Sequence, residues 1–83
     1  MKIIHNTQGA VCAHEIEVEV DDATKVVKSV VFHGGCPGNH LGIAALVEDM
    51  PASEAVARLS GICCGNRSTS CPDQLAQALK KVL

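Results

Sequence analysis

The sequence predicts an α+β fold in which an antiparallel three-stranded sheet is followed by two or three helices packed on one face. Two observations carry this prediction: apolar residues alternate with polar ones early in the chain, and helix-like apolar spacing occupies the rest. A chain of 83 residues is the size of one domain. We therefore expect a single domain over residues 1–83.

Three early segments are predicted to be strands. Lys2–His5 is a short candidate, Glu15–Asp21 alternates strictly, and Lys25–Phe32 is rich in valine. In the second segment the apolar side chains are expected to face the core and the glutamates to face water. His5 is expected to be an exposed polar residue.

Helices are expected in the second half of the chain. The first is predicted from about residue 37 or 39 to residue 50, where a proline follows. Ser53 is predicted to cap a second helix over Glu54–Leu59. Ser70 is predicted to cap the last helix, in a pattern close to a capping box.

Composition limits the classes of function. The net charge of −2 and the pI of about 6.0 argue against a nucleic-acid face, as does the presence of a single aromatic residue, Phe32. The longest apolar stretch, Ile43–Val47, is too short to cross a membrane. No signal peptide is recognised at the start, so we expect a cytoplasmic protein without membrane partners. The valine-rich strands leave a sheet edge that could pair in a homodimer.

The five cysteines are the candidates for chemistry, because clustered cysteines in a cytoplasmic protein favour metal binding or redox exchange. Cys36 and Cys71 precede predicted helices, whose N-terminal partial charge favours a thiolate. Four sulfurs from separated segments could hold Zn²⁺ or an iron–sulfur cluster. The predicted metal ligands are Cys12, Cys36, Cys64 and Cys71, with His14 and Cys63 as secondary candidates.

Three blocks of the sequence resemble the TSCPD family. The run Gly61–Ala76 is similar to its signature, and the family takes its name from the stretch Thr69–Asp73. Val31–Asn39 and Thr7–Cys12 resemble its other two blocks. Members of this family occur as small stand-alone proteins and as a C-terminal domain of vitamin-B12-dependent ribonucleoside reductases.

The TSCPD resemblance implies metal or redox chemistry at the four cysteines outside Cys63. It therefore implies an accessory metal-binding module related to ribonucleoside-diphosphate reductase, with a ribonucleoside reductase or another redox protein as its partner. The chain is too short to be a complete reductase, and no catalytic residue is assigned to it.

A second, more distant resemblance is to iron–sulfur scaffolds of the NifU N-terminal (IscU) type, and it implies a scaffold-like fold. The three cysteine ligands of that family would fall on Cys12, Cys36 and Cys71, and its aspartate ligand on His14. Two alternatives to a simple metal-binding module stay open. One is an iron–sulfur scaffold or carrier; the other is a thiol–disulfide redox partner that uses a pair such as Cys64 and Cys71.

Overall fold

The computed structural model describes residues 1–7, 13–35, 37–63, 65 and 68–83. Three antiparallel strands are followed by three helices, which confirms the predicted α+β class. The strands are β1 (Lys2–Asn6), β2 (Glu15–Val20) and β3 (Val27–His33); the helices are α1 (Pro37–Val47), α2 (Ala52–Leu59) and α3 (Cys71–Lys80). No helix in the described ranges is long and apolar enough to cross a membrane.

The sheet has the order β1-β2-β3, so that β2 lies in the middle. Its alternating sequence places Ile16, Val18 and Val20 in the core, while the glutamates lie on the opposite face, as predicted. The register sets Glu15 opposite His33 on that outer face. The outer face of the sheet therefore carries polar side chains from two neighbouring strands.

Helices cover the inner face of the sheet. Helix α3 packs against β1 and β2, α1 packs against β3, and α2 packs against α3. Leu75 and Leu79 of α3 are completely buried, and on α1 the ring of His40 stacks on Phe32 of β3, with centroids 4.3 Å apart. The same core takes small side chains from α2, Ala52 and Ala55. Aliphatic side chains thus supply most of the core.

The start of α2 differs from the sequence prediction. The helix begins at Ala52 with Pro51 at the N-cap, and Ser53 is an exposed residue inside the first turn. Pro51 also forms a bridge with Val26, and its carbonyl accepts the N–H groups of Glu54 and Ala55. Pairing with the sheet therefore fixes the first residue of the helix, and the predicted serine cap was wrong.

Helix α1 ends three residues before the position that the sequence predicted. Asp49 adopts the left-handed conformation, with φ 66°, and its N–H donates to the carbonyl of Val27 at 2.7 Å. Val27 in turn donates to the carbonyl of Met50. The chain leaves the helix at this point because its backbone groups bond to β3 instead.

Candidate metal centre at the start of helix α3

The thiol of Cys71 lies at the first residue of α3 and is 7% exposed. Its Sγ accepts a hydrogen bond from the backbone N–H of Ala13, at a donor–acceptor distance of 3.4 Å. Ala13 is itself buried, and it directly follows Cys12 in the chain. The sulfur thus lies at a helix N-terminus and accepts a hydrogen bond from a residue 58 positions earlier in the chain.

Ser70 determines where α3 begins. It adopts an extended backbone conformation, and its Oγ accepts from the N–H of Asp73 at 3.2 Å, which confirms the predicted cap. The same hydroxyl donates to the carbonyl of Ile62 at 2.5 Å. Pro72 follows in the first turn, where its missing N–H costs nothing. The cap therefore also joins the segment near Cys63 to the helix start.

The carboxylate of Asp73 accepts hydrogen bonds from three donors in different parts of the chain. It accepts from the Thr69 hydroxyl at 2.5 Å, from the N–H of Gly61 at 2.7 Å and from the amide of Gln77 at 3.0 Å. The Thr69 hydrogen bond, followed by that of Gly61, lowers the pKa of Asp73 below its ordinary value. Gly61 has φ +82°, a conformation that glycine adopts without steric cost. The charge stays at the helix N-terminus, where the macrodipole favours it.

A partly buried chain of hydrogen bonds connects Asp73 to β1. The Nζ of Lys81 lies 2.8 Å from His5 Nδ1, and His5 Nε2 lies 2.9 Å from Gln74 Oε1. The amide of Gln74 then donates to Thr69 Oγ1 at 2.9 Å. Because an ammonium can only donate, Nδ1 accepts and the His5 proton is on Nε2. Every hydrogen bond between Lys81 and Asp73 is therefore donated in the direction of the Asp73 carboxylate.

The burial of His5 contradicts the expectation that it would be exposed. The residue is 5% exposed because Gln74 and Lys81, both near the far end of the sequence, supply partners for its two ring nitrogens. No local pattern around His5 reports these partners.

The predicted metal ligands are only partly within the described residues. Cys12, Cys36 and Cys64 lie outside them. Cys71 is the buried sulfur described above, whereas Cys63 is exposed and its Sγ contacts the carbonyl of Gly61 at 3.5 Å. His14 is exposed, with its ring centroid 6.4 Å from that of His33. Within the described ranges, no three of these predicted ligands converge on one point.

A different set of ligand-type side chains does converge on the outer face of the sheet. The set consists of Glu15, Glu17 and His33, whose ligand atoms all lie within 4.8 Å of one another. The alternating pattern of the second strand predicts only that its glutamates face water. The hairpin register was the available signal, because it brings His33 opposite Glu15 and on the same face as Glu17.

The TSCPD domain model matches residues 2–83 of the chain. The chain belongs to the TSCPD family. No curated protein and no solved structure matches it, so the likeness to NifU-type scaffolds stays a prediction. In this TSCPD domain the name-giving stretch Thr69–Asp73 forms the start of α3. Ser70 caps the helix, and Asp73 accepts a hydrogen bond from Thr69. Cys71 lies between Ser70 and Asp73 in the sequence, and its sulfur accepts a hydrogen bond from Ala13.

Proposed function

We propose that this TSCPD domain is a metal-binding module in which four thiolates hold Zn²⁺ or an iron–sulfur cluster. The proposed ligands are Cys12, Cys36, Cys64 and Cys71, with His14 and Cys63 as secondary candidates. The observation that carries the proposal is the hydrogen bond from the Ala13 N–H to the sulfur of Cys71.

This hydrogen bond supports a ligand role for Cys71 over simple packing. A buried cysteine that only fills space behaves as a small hydrophobic side chain and has no need of a donor. Cys71 instead accepts a hydrogen bond from a backbone N–H and lies at a helix N-terminus, a position typical of functional cysteines. The bond also joins residues 58 apart in the chain, one of which follows Cys12.

Other hydrogen bonds tie together the segments that carry the remaining cysteines. The N–H of His14 donates to the carbonyl of His33 at 2.9 Å, near the end of β3, and Cys36 follows three residues later in the sequence. Ser70 bonds to Ile62, which precedes Cys63 and Cys64 in the sequence. These contacts support a common site for the four cysteine-bearing segments.

A structural metal would also meet an energetic need of a chain this small. A single core in a domain of about this size supplies roughly 3–5 kcal/mol of stability. Structural zinc sites contribute roughly 10–16 kcal/mol in small peptides. Thiolate donors suit both Zn²⁺ and iron–sulfur clusters, so the donor set fits either group.

The biological role that we propose is that of an accessory module for a ribonucleoside reductase or another redox protein in the cytoplasm. It rests on the family's occurrence at the C-terminus of B12-dependent ribonucleoside reductases. The redox alternative requires a thiolate that reaches a partner's disulfide. With only 7% of Cys71 exposed, the observation favours metal binding over direct thiol exchange by this residue.

Purification without oxygen or chelator, followed by elemental analysis and a UV–visible spectrum, tests the proposal. We expect about one Zn²⁺ per chain without colour, or iron and sulfide with visible absorption. Cys71→Ser should lose the metal. Cys63→Ser, at an exposed cysteine, distinguishes the main from the secondary candidates: retained metal would leave Cys63 outside the ligand set, and lost metal would place it inside.

A folding defect in Cys71→Ser is separated from loss of a ligand by treating the wild-type protein with a chelator. We expect removal of the metal to lower the thermal midpoint of the wild type. A metal-free wild type with five titratable thiols, or full metal content in Cys71→Ser, would refute the site. A metal-free wild type with fewer than five free thiols would point to redox exchange instead.

A further inference from the structure

The outer face of the sheet carries a cluster that the proposed thiolate centre does not use. Glu15 and Glu17 project from β2, and His33 is the last residue of β3. All three are partly buried, and their ligand atoms lie within 4.8 Å of one another. We define these three residues as the sheet-face cluster.

We propose that the sheet-face cluster is a second metal site, which binds a divalent transition-metal ion such as Zn²⁺ through one imidazole nitrogen and two carboxylate oxygens. The His33 Nε2 lies 3.1 Å from Glu17 Oε1 and 3.7 Å from Glu15 Oε2. Tetrahedral ligands at about 2.1 Å from zinc are about 3.4 Å from each other. These two distances lie on either side of that value, and all ligand atoms of the cluster lie within 4.8 Å of one another.

The chemistry of the donors selects the class of ion. Imidazole with carboxylates suits zinc and neighbouring transition metals, whereas calcium and magnesium prefer oxygen alone. Two carboxylates and a neutral imidazole balance the charge of a divalent ion.

Two further side chains, those of Lys2 and His14, lie next to this site. The Nζ of Lys2 lies 3.5 Å from Glu17 Oε2 and must share that carboxylate with the ion. The exposed ring of His14 has its centroid 6.4 Å from that of His33. Three protein ligands leave a fourth position for water or an exogenous ligand, as in catalytic rather than structural zinc sites.

The sheet-face cluster shares none of the four main ligands of the proposed thiolate centre. Ala13, which donates to Cys71, is buried, whereas its neighbour His14 is exposed near the sheet-face cluster. An ion on Glu15, Glu17 and His33 therefore needs no thiolate. The second site can exist whether or not the thiolate centre does.

Histidine imidazole ¹⁵N resonances of the reduced, full-length protein report the second site directly. One equivalent of Zn²⁺ is added without oxygen, the free thiols are counted, and a second equivalent is then titrated. We expect the second equivalent to shift the Nε2 resonance of His33 while the thiol count stays constant.

Three single variants provide the comparison. Glu15→Gln and Glu17→Gln should each weaken zinc binding at His33 by about tenfold or more, since even the loss of a group that supports a metal ligand costs about 10–100-fold. Glu19→Gln removes the next carboxylate on the same face but is outside the cluster, and it should bind as the wild type does.

Each result decides the proposal. A His33 resonance that does not respond to excess zinc would overturn it, as would equal affinities in Glu17→Gln and Glu19→Gln. If zinc shifts His33 at the first equivalent while all thiols stay free, the sheet site stands and the thiolate centre fails. If zinc protects the thiols and leaves His33 unchanged, the reverse holds.

Discussion

Replacing Asp73 with asparagine tests the idea that this carboxylate holds the start of α3 together. The two carboxylate oxygens of Asp73 accept hydrogen bonds from Thr69, Gly61 and Gln77. An asparagine keeps the shape of the side chain but turns one acceptor into an NH₂ donor. In either orientation of the asparagine amide, its NH₂ group faces another hydrogen-bond donor.

The size of the effect follows from two contributions. A donor left without a partner in a buried position costs about 1–3 kcal/mol. Loss of a negative charge from the first turn of a helix costs about 0.3–1 kcal/mol. Asp73 is 8% exposed, so the variant should lose about 1.3–4 kcal/mol of unfolding free energy. For a domain of this size that corresponds to a thermal midpoint lower by at least about 5 °C.

The assay is urea unfolding of wild type and variant, with an unchanged slope and a lower midpoint expected. Because folding lowers the pKa of Asp73, its stabilisation is complete above the ordinary aspartate pKa of about 3.9 and is lost as the pH falls through the lower pKa of the folded state. The difference in unfolding free energy between wild type and variant should therefore shrink on acidification from neutral pH to about pH 3.

Asp49→Asn is the matched control for charge. Its carboxylate is 77% exposed, and its φ of 66° is one that asparagine also adopts. This variant should change the unfolding free energy by no more than about 0.5 kcal/mol. Equal stabilities of Asp73→Asn and Asp49→Asn, or a difference from wild type that does not depend on pH, would refute the reasoning.

Three further outcomes follow from the structure. Leu75→Ala, at a fully buried position, should cost about 2–5 kcal/mol in urea unfolding, whereas Leu46→Ala, at a 76% exposed leucine, should be almost neutral. Ser70→Ala should cost about 0.5–2 kcal/mol and Ser53→Ala, which removes no cap, should cost little; equal losses would contradict the assigned caps. The ¹⁵N spectrum should show His5 with its proton on Nε2, and the opposite tautomer would exclude the directional chain.

The parts of the fold that the sequence predicted well depend on neighbouring residues. Alternation in Glu15–Val20 gives both the strand and its two faces. The cap at Ser70 is similarly local, because the serine bonds to Asp73 three residues later. These patterns involve residues only a few positions apart, and tertiary packing leaves them unchanged.

The features that the sequence did not predict depend on distant partners. His5 is buried through Gln74, 69 residues away, and Pro51 replaces Ser53 at the N-cap because the chain bridges to Val26. The sheet-face cluster depends on the register between β2 and β3, which includes an irregularity after Glu19. Of the four predicted thiolate ligands, the structure describes Cys71, so the complete ligand set stays a prediction.

The position of α3 on β1 and β2 has a consequence for how the chain acquires its structure during synthesis. Ile16 and Val18 are translated well before Leu75 and Leu79, which share their core. The part of the inner face that β1 and β2 form therefore stays uncovered by α3 until this helix has left the ribosome. The proposed thiolate centre would lack Cys71 until then, so it would capture a metal ion only after α3 has been made.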